Sequence, residues 1–210
     1  MQGTRFAQLR AIPTLFYYGF AAYSLLTVGL MAVSFALATV VAPQGYYTVA
    51  MAKPAAQHRL IRQTEVAQFG NKVSTAFGIK DQVATEFADW ILEASERQGL
   101  TPELLASLVV TESSFRKYAR SQVGAVGPAQ VRPEYWGSFC GASTQGLSDP
   151  EENIYCGAQI LSHLLERCDG DRACALAAYN VGPYGKRDAA ARRYLAKIDR
   201  YLASLEDASL

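Results

Sequence analysis

Thr101-Pro-Glu-Leu-Leu-Ala-Ser-Leu-Val-Val-Thr-Glu112 is the stretch on which the reading of this chain turns. Thr101 is a good N-cap, Pro102 suits the first helical position, and Glu103 suits the positive end of the helix dipole. From there Leu104, Leu105, Leu108 and Val109 form one apolar stripe at helical spacing. Glu112 falls on the same stripe, four residues after Leu108 and eight after Leu104. A carboxylate facing a core loses solvation, and near a helix C-terminus it meets the unfavourable end of the dipole. Both effects raise its pKa. A carboxyl group that keeps its proton near neutral pH is what a general acid requires. The competing reading is a Glu that swings out to water at a frayed helix end.

The residues after Glu112 favour the first reading. The chain continues Ser113-Ser114-Phe115, then Ala119, Ser121, Gly124-Ala125, Gly127, Gln130 and Pro133. Further on come Asp149-Pro150, Asn153-Ile154 and Gly157, then Ala177-Ala178-Tyr179-Asn180-Val181-Gly182, and Tyr194-Leu195 on a last helical run. These ordered blocks resemble the signature of the soluble lytic transglycosylase family, of the goose-type lysozyme superfamily, over roughly residues 83–205. Within them Gly124 and Gly127 suit turns or close approaches of the backbone rather than ligand contacts. One position departs from the family: Pro128-Ala129 stands before Gln130 where an apolar residue and a Met are usual, and there that Met helps line the sugar cleft.

Toward the N-terminus, Leu15 to Ala42 carries no charged side chain over 28 residues. At about 1.5 Å per residue this is roughly 42 Å of helix, enough to cross a hydrocarbon core of about 30 Å with tilt. The run is too long for the apolar region of a cleaved signal peptide and lacks the polar face of a buried core helix. We read it as an uncleaved signal anchor with tyrosines near both membrane interfaces. Basic residues flank both ends, so positive charge does not settle the orientation. Cys140, Cys156, Cys168 and Cys174 all follow the span, and an even number there suits disulfides in an oxidising compartment. Proximity in sequence favours Cys140–Cys156 and Cys168–Cys174. No Cys-x-x-Cys spacing supports zinc, and free thiols are the remaining alternative.

The resulting organisation is a cytoplasmic tail over 1–14, the anchor over 15–42, a juxtamembrane connector over 43–78 and a catalytic domain over 79–210. In the connector Pro43, Gly45 and Pro54 are expected to break the helix, while 56–77 has a mixed helical pattern that ends at Phe77-Gly78. In the domain the expected helices cover 83–98, about 102–113, 150–167, 171–179 and 188–205, with a β-like excursion within 116–131. The fold class is mainly α, a lysozyme-like globular helical domain preceded by a single transmembrane helix. A formal net charge of +1 gives no reason for nucleic-acid binding, and no metal or cofactor is called for.

Cleaving a glycosidic bond needs a proton on the leaving oxygen and, in ordinary glycosidases, a second carboxylate across the sugar. The motif blocks offer no obvious second acid; Asp149, Glu151 and Glu152 cluster at a helix start, where capping is the simpler role. The resemblance implies a chemistry that needs none. In that family the C6 hydroxyl of N-acetylmuramic acid attacks its own C1, and one Glu serves as acid and then base. It implies Glu112 as the catalytic residue and Ser121, Gln130, Tyr179, Asn180 and Tyr194 as substrate-binding residues. The partner is then the peptidoglycan glycan strand, cleaved in the periplasm or by a virion-associated enzyme. Local wall opening for a secretion, conjugation or phage entry complex fits a small anchored chain. A muramidase that uses water and a non-catalytic glycan-binding scaffold are the two rival readings.

Overall fold

A computed structural model describes residues 44–182 and 189–208, and the anchor assigned to 15–42 lies outside them. Among the described residues no helix is long and apolar enough to cross a membrane. The chain divides into two compact units, Met1–His58 and Arg59–Leu210. Of the first, the described part is the opening of helix α1 (Gln44–Phe77), which runs on into the second. The expected break at Gly45 and Pro54 does not occur. A proline removes one helical hydrogen bond and distorts the turn before it, and the Ala-rich flanks here favour continuing the helix.

The second unit contains α2 (Asp81–Gln98), α3 (Pro102–Ser113), a short α4 (Pro133–Trp136), a single 3-10 turn at Gly146–Ser148, α5 (Pro150–Arg167), α6 (Arg172–Val181) and α7 (Ala189–Asp207). Local chemistry sets most of the boundaries. Gly78 and Gly99 take left-handed φ of 65° and 64° just past α1 and α2. Asp149 accepts from the N–H groups of Glu151 and Glu152 at 3.0 and 3.1 Å and starts α5. Asp171 does the same for α6 through Ala173 and Cys174. Thr101 precedes α3 in extended geometry without a side-chain cap, its carbonyl taking the N–H groups of Leu104 and Leu105.

Helix α3 is the partition of the domain. It packs on α2 and α7, while α5 packs on α2 and α6, and α6 on α7. Its apolar stripe divides between two clusters. Leu105 and Val109 join Phe87, Ile91, Phe115 and Leu205. Leu104 and Leu108 join Val131, Ile160, Leu164, Tyr194 and Ile198. Glu112 continues the Leu104–Leu108 row at the next i+4 step, so it emerges at the edge of the second cluster. The loop before α4 forms two isolated antiparallel bridges, Arg120 to Val126 and Val126 to Val131. This is the β-like excursion anticipated within 116–131.

The part of the connector from Arg59 onward belongs to the second compact unit. Phe69 and Val73 of α1 are buried in the first cluster. Arg62 ion-pairs with Asp89 at 3.0 Å and donates to its backbone carbonyl at 2.9 Å, and Lys72 pairs with Glu103 at 3.0 Å. Burying two such apolar side chains contributes roughly 3–6 kcal/mol at about 1.5–3 kcal/mol each. A chain starting at residue 79 is therefore expected to lose most of its stability compared with one starting at residue 59. Urea unfolding of the two checks this, and equal midpoints would refute the docking of α1.

Both disulfides expected from sequence are formed, Cys140–Cys156 and Cys168–Cys174. The first ties the segment after α4 to the middle of α5. Trp136 stacks edge-on against Phe139, which lies 4.9 Å from the His163 ring on α5. Together these contacts fix the short helix that carries Tyr135 and Trp136.

Candidate active site

A groove of about 840 Å³ opens on the second cluster, a size ordinary for ligand sites. It is lined by Glu112 from the end of α3, Ser121 and Gln130 from the bridged loop, Tyr135 and Trp136 from α4, and Tyr179 and Asn180 from α6. Glu112, Ser121, Gln130, Tyr179 and Asn180, far apart in sequence, thus share one wall system. Tyr194 reaches Glu112 directly from α7, its hydroxyl donating to Oε1 at 2.6 Å.

The electrostatics of Glu112 are set by burial first. Loss of solvent pushes its pKa up to about 7, against the opposing pull of the Tyr194 hydrogen bond and the charge of Lys197. Lys197 sits one turn after Tyr194 and donates to the Thr111 carbonyl at 3.0 Å, placing a cation at the negative end of α3. Burial also drives the phenols of Tyr179 and Tyr194 upward, with the Glu112 charge as the next cause. Both stay protonated and act as donors. Among the described residues lining the groove, Glu112 is the one carboxylate. Asp149 is occupied as a cap, and Glu151 and Glu152 border a different surface cleft beside Glu93 and Arg97.

The remaining side chains are held by contacts within the loop. The Ser121 hydroxyl accepts from the Ala125 N–H at 2.9 Å, which leaves its own proton to donate. Gln130 takes a left-handed φ of 50° and donates from Nε2 to the Gly127 carbonyl at 2.9 Å. Tyr179 donates to the Ala129 carbonyl at 2.9 Å, fixing its ring against the loop. Gly157 makes room for this, since a Cβ there would lie 2.5 Å from that of Ala129 and 3.1 Å from the Tyr179 hydroxyl. Ala129 is fully buried, and neither it nor Pro128 lines the groove. Both residues of the unusual pair are buried, and Ala129 packs inward against Gly157 of α5.

One residue that matters to the groove has no role legible from sequence. Asn153 of α5 is completely buried. Its Nδ2 donates to the carbonyls of Val126 and Leu147 at 2.8 and 2.9 Å, and its Oδ1 accepts from the Ala129 N–H at 2.8 Å. It thereby holds the bridged loop on the helix. Gly127 is both a turn and a close approach: its φ is 72°, and a Cβ there would lie 2.3 Å from Asn153 Cγ. The available signals for Asn153 are its place in the block Asp149-Pro150, Asn153-Ile154 and Gly157, quoted above without a role, and an Asn among Ile154, Gly157, Ala158 and Leu161 on the inner face of α5.

One desolvated glutamate in a groove, hydrogen-bonded by a buried tyrosine, is an arrangement suited to a general acid. Residues 89–202, a little over half of the chain, match the family described as the transglycosylase SLT domain, and the chain belongs to that family. It is 38% identical over 99 residues to a transglycosylase of Enterobacteria phage PRD1, covering 47% of this chain and 36% of that one. It is 32% identical over 120 residues to membrane-bound lytic murein transglycosylase C of Edwardsiella ictaluri, covering 49% and 33%. The structure of an inactive mutant of the lytic transglycosylase Slt from Pseudomonas aeruginosa superposes with a TM-score of 0.51 at 27% identity, covering 56% of this chain and 23% of that chain. The chain spans about a third of the length of the curated relatives it matches.

Proposed function

We propose that this protein is a membrane-anchored peptidoglycan lytic transglycosylase that cleaves the bond between N-acetylmuramic acid and N-acetylglucosamine. The observation that carries the reading is Glu112, desolvated and bonded to Tyr194 at the groove of an SLT-family domain. Protonated Glu112 gives its proton to the leaving glycosidic oxygen as the C1–O bond breaks. The resulting carboxylate then takes the proton from the C6 hydroxyl of the same muramic acid. That oxygen bonds to C1 and closes a 1,6-anhydro ring, so one carboxylate serves both steps and no water is consumed. Ser121, Gln130 and Asn180 offer hydrogen bonds to N-acetyl and hydroxyl groups. Tyr179 borders the reacting sugar, and Tyr194 orients Glu112. Residues 15–42 anchor the chain in the inner membrane with 1–14 in the cytoplasm and the domain in the periplasm. The phage relative and the membrane-bound relatives support a local wall-opening role, in an envelope-spanning complex or during phage entry.

Digestion of purified sacculi by the full-length protein, resolved by liquid chromatography and mass spectrometry, tests the chemistry. Anhydromuropeptides are expected. Reducing-end products would make the protein a hydrolytic muramidase, and no products from folded protein would favour a scaffold. The anchor is tested separately: the intact protein is expected to stay in membranes through high-salt and alkaline washes, and release into the wash would refute it.

The pH profile depends on the groups facing Glu112, which are Tyr194 and Lys197 on α7 with Tyr179 on α6. The acid is active when protonated, so kcat/KM is expected to fall as pH rises through about 7. Tyr194 and Lys197 both hold that pKa down. Tyr194→Phe and Lys197→Met are each expected to move the alkaline limb to higher pH. A limb that stays in place or moves down in both variants contradicts Glu112 as the acid.

A further inference from the structure

Arg132 is the one cation among the described residues that line the groove. It directly precedes α4, and its guanidinium carbon lies 4.3 Å from the ring centroid of Tyr135, one turn on. Tyr135 lines the same groove and is 60% exposed. The guanidinium is engaged only lightly by the protein itself. Its Nε is buried without an acceptor. Its ion pair with Glu134 is long, at 3.3 Å, and rests on a side chain that is 72% exposed, a geometry that holds little. Stacking on Tyr135 therefore does most of the positioning, and the terminal donors of the fork, held on one side by the long Glu134 pair alone, can take a further carboxylate.

The other groove residues do not call for a cation. Ser121, Gln130 and Asn180 are neutral partners suited to amides and hydroxyls, and Val131, Trp136 and Ile160 supply apolar surface. The glycan strand itself is likewise uncharged while each lactyl carboxyl is tied in an amide to its stem. In peptidoglycan the carboxylates sit on the peptide stems, joined to muramic acid through its lactyl group. We propose that Arg132, stacked on Tyr135, binds a carboxylate of the peptide stem, so that the groove prefers stem-bearing strands to the same glycan with neutral lactyl groups. This rests on the peptidoglycan reading above.

The test is binding by isothermal titration, using full-length Glu112→Gln protein so that ligand is not consumed. The probes are a muramyl tetrasaccharide carrying its tetrapeptides and the same tetrasaccharide stripped of its stems and capped as neutral lactyl amides. Arg132→Met in this background is expected to weaken the stem-bearing ligand about tenfold and leave the stripped one unchanged. Added salt is expected to weaken the stem-bearing ligand in the parent protein and much less in the variant. Equal losses on both ligands would make Arg132 a wall of the groove and overturn the proposal. No loss on either would overturn it as well. Failure of the parent to bind either ligand would instead bring down the peptidoglycan reading itself. Thermal unfolding of the variant separates lost contact from lost fold, and Arg132→Gln gives a second variant should the Met form be unstable.

Discussion

Glu112→Gln is expected to abolish turnover and at the same time to stabilise the protein above neutral pH. The amide keeps the shape of the side chain and can still accept from Tyr194, but it has no proton to give and cannot take one back. General acid–base steps contribute about 10²–10⁴ in rate each. In the proposed mechanism one residue serves both, so activity on sacculi should fall below detection. The gain in stability has the opposite origin. Burial raises the Glu112 pKa from the ordinary 4.5 to about 7, so the folded state binds its proton more tightly than the unfolded chain. For a group of this sign, the stabilisation is fully present below about pH 4.5 and is lost as pH rises through about 7. Over that window the wild type gives up roughly 3 kcal/mol, at about 1.4 kcal/mol for each pH interval of one between the two values. The Gln side chain does not titrate and gives up none of it. Urea unfolding at about pH 4 and about pH 8, on either side of that window, should show a difference between the proteins that widens at the higher pH in favour of the variant. A difference that is the same at both pH values would mean that Glu112 is solvated in the folded protein.

How far the sequence carried depends on whether a feature is local. Helix α3 was readable because Pro102 and the Leu104–Leu108 row mark its start and its inward face within a dozen residues. The starts of α5 and α6 were readable for the same reason, with Asp149 and Asp171 as side-chain caps. The two disulfides joined the nearest cysteines, where the linked segments are short. The docking of α1 was not readable, since the apolar pattern across 56–77 is weak and Phe69 and Val73 gain meaning only from the Phe87–Ile91 face they meet. Convergence of the groove residues came from the family resemblance, because no local rule brings Tyr194 across 82 positions to Glu112. The partition of one apolar stripe between two cores is likewise a property of packing. The wall formed by Arg132 and Tyr135 was missed because a basic residue before a Pro-Glu pair reads, in isolation, as ordinary solvated surface.

Asn153→Ala is expected to be the most destabilising single change to the groove. The Ala side chain fits the space but leaves the Leu147 carbonyl and the Ala129 N–H buried with no partner from α5, and the Val126 carbonyl with the Val131 N–H alone. Each of the two orphaned groups costs about 1–3 kcal/mol, so the sum is roughly 2–6 kcal/mol. That approaches the whole stability of a typical domain. Asn153→Asp separates hydrogen bonding from packing. A carboxylate has nearly the same shape and can still accept from Ala129, but it turns two donations into contacts between oxygens of like charge. It should therefore be at least as damaging as Ala, whereas a residue that merely filled space would tolerate Asp. Gly127→Ala attacks the same contact from the other side, since its Cβ would meet Asn153 at 2.3 Å on a backbone with φ of 72°. Because the two changes share that contact, their costs should not add. The double variant is expected to be less destabilised than the sum of the singles, with the remaining Gly127 cost reporting only backbone strain. The bridged loop carries Ser121 and Gln130, so turnover should drop in each single variant even at temperatures where it stays folded. Strict additivity, or an Asp variant as stable as wild type, would show that the loop is held by something other than Asn153.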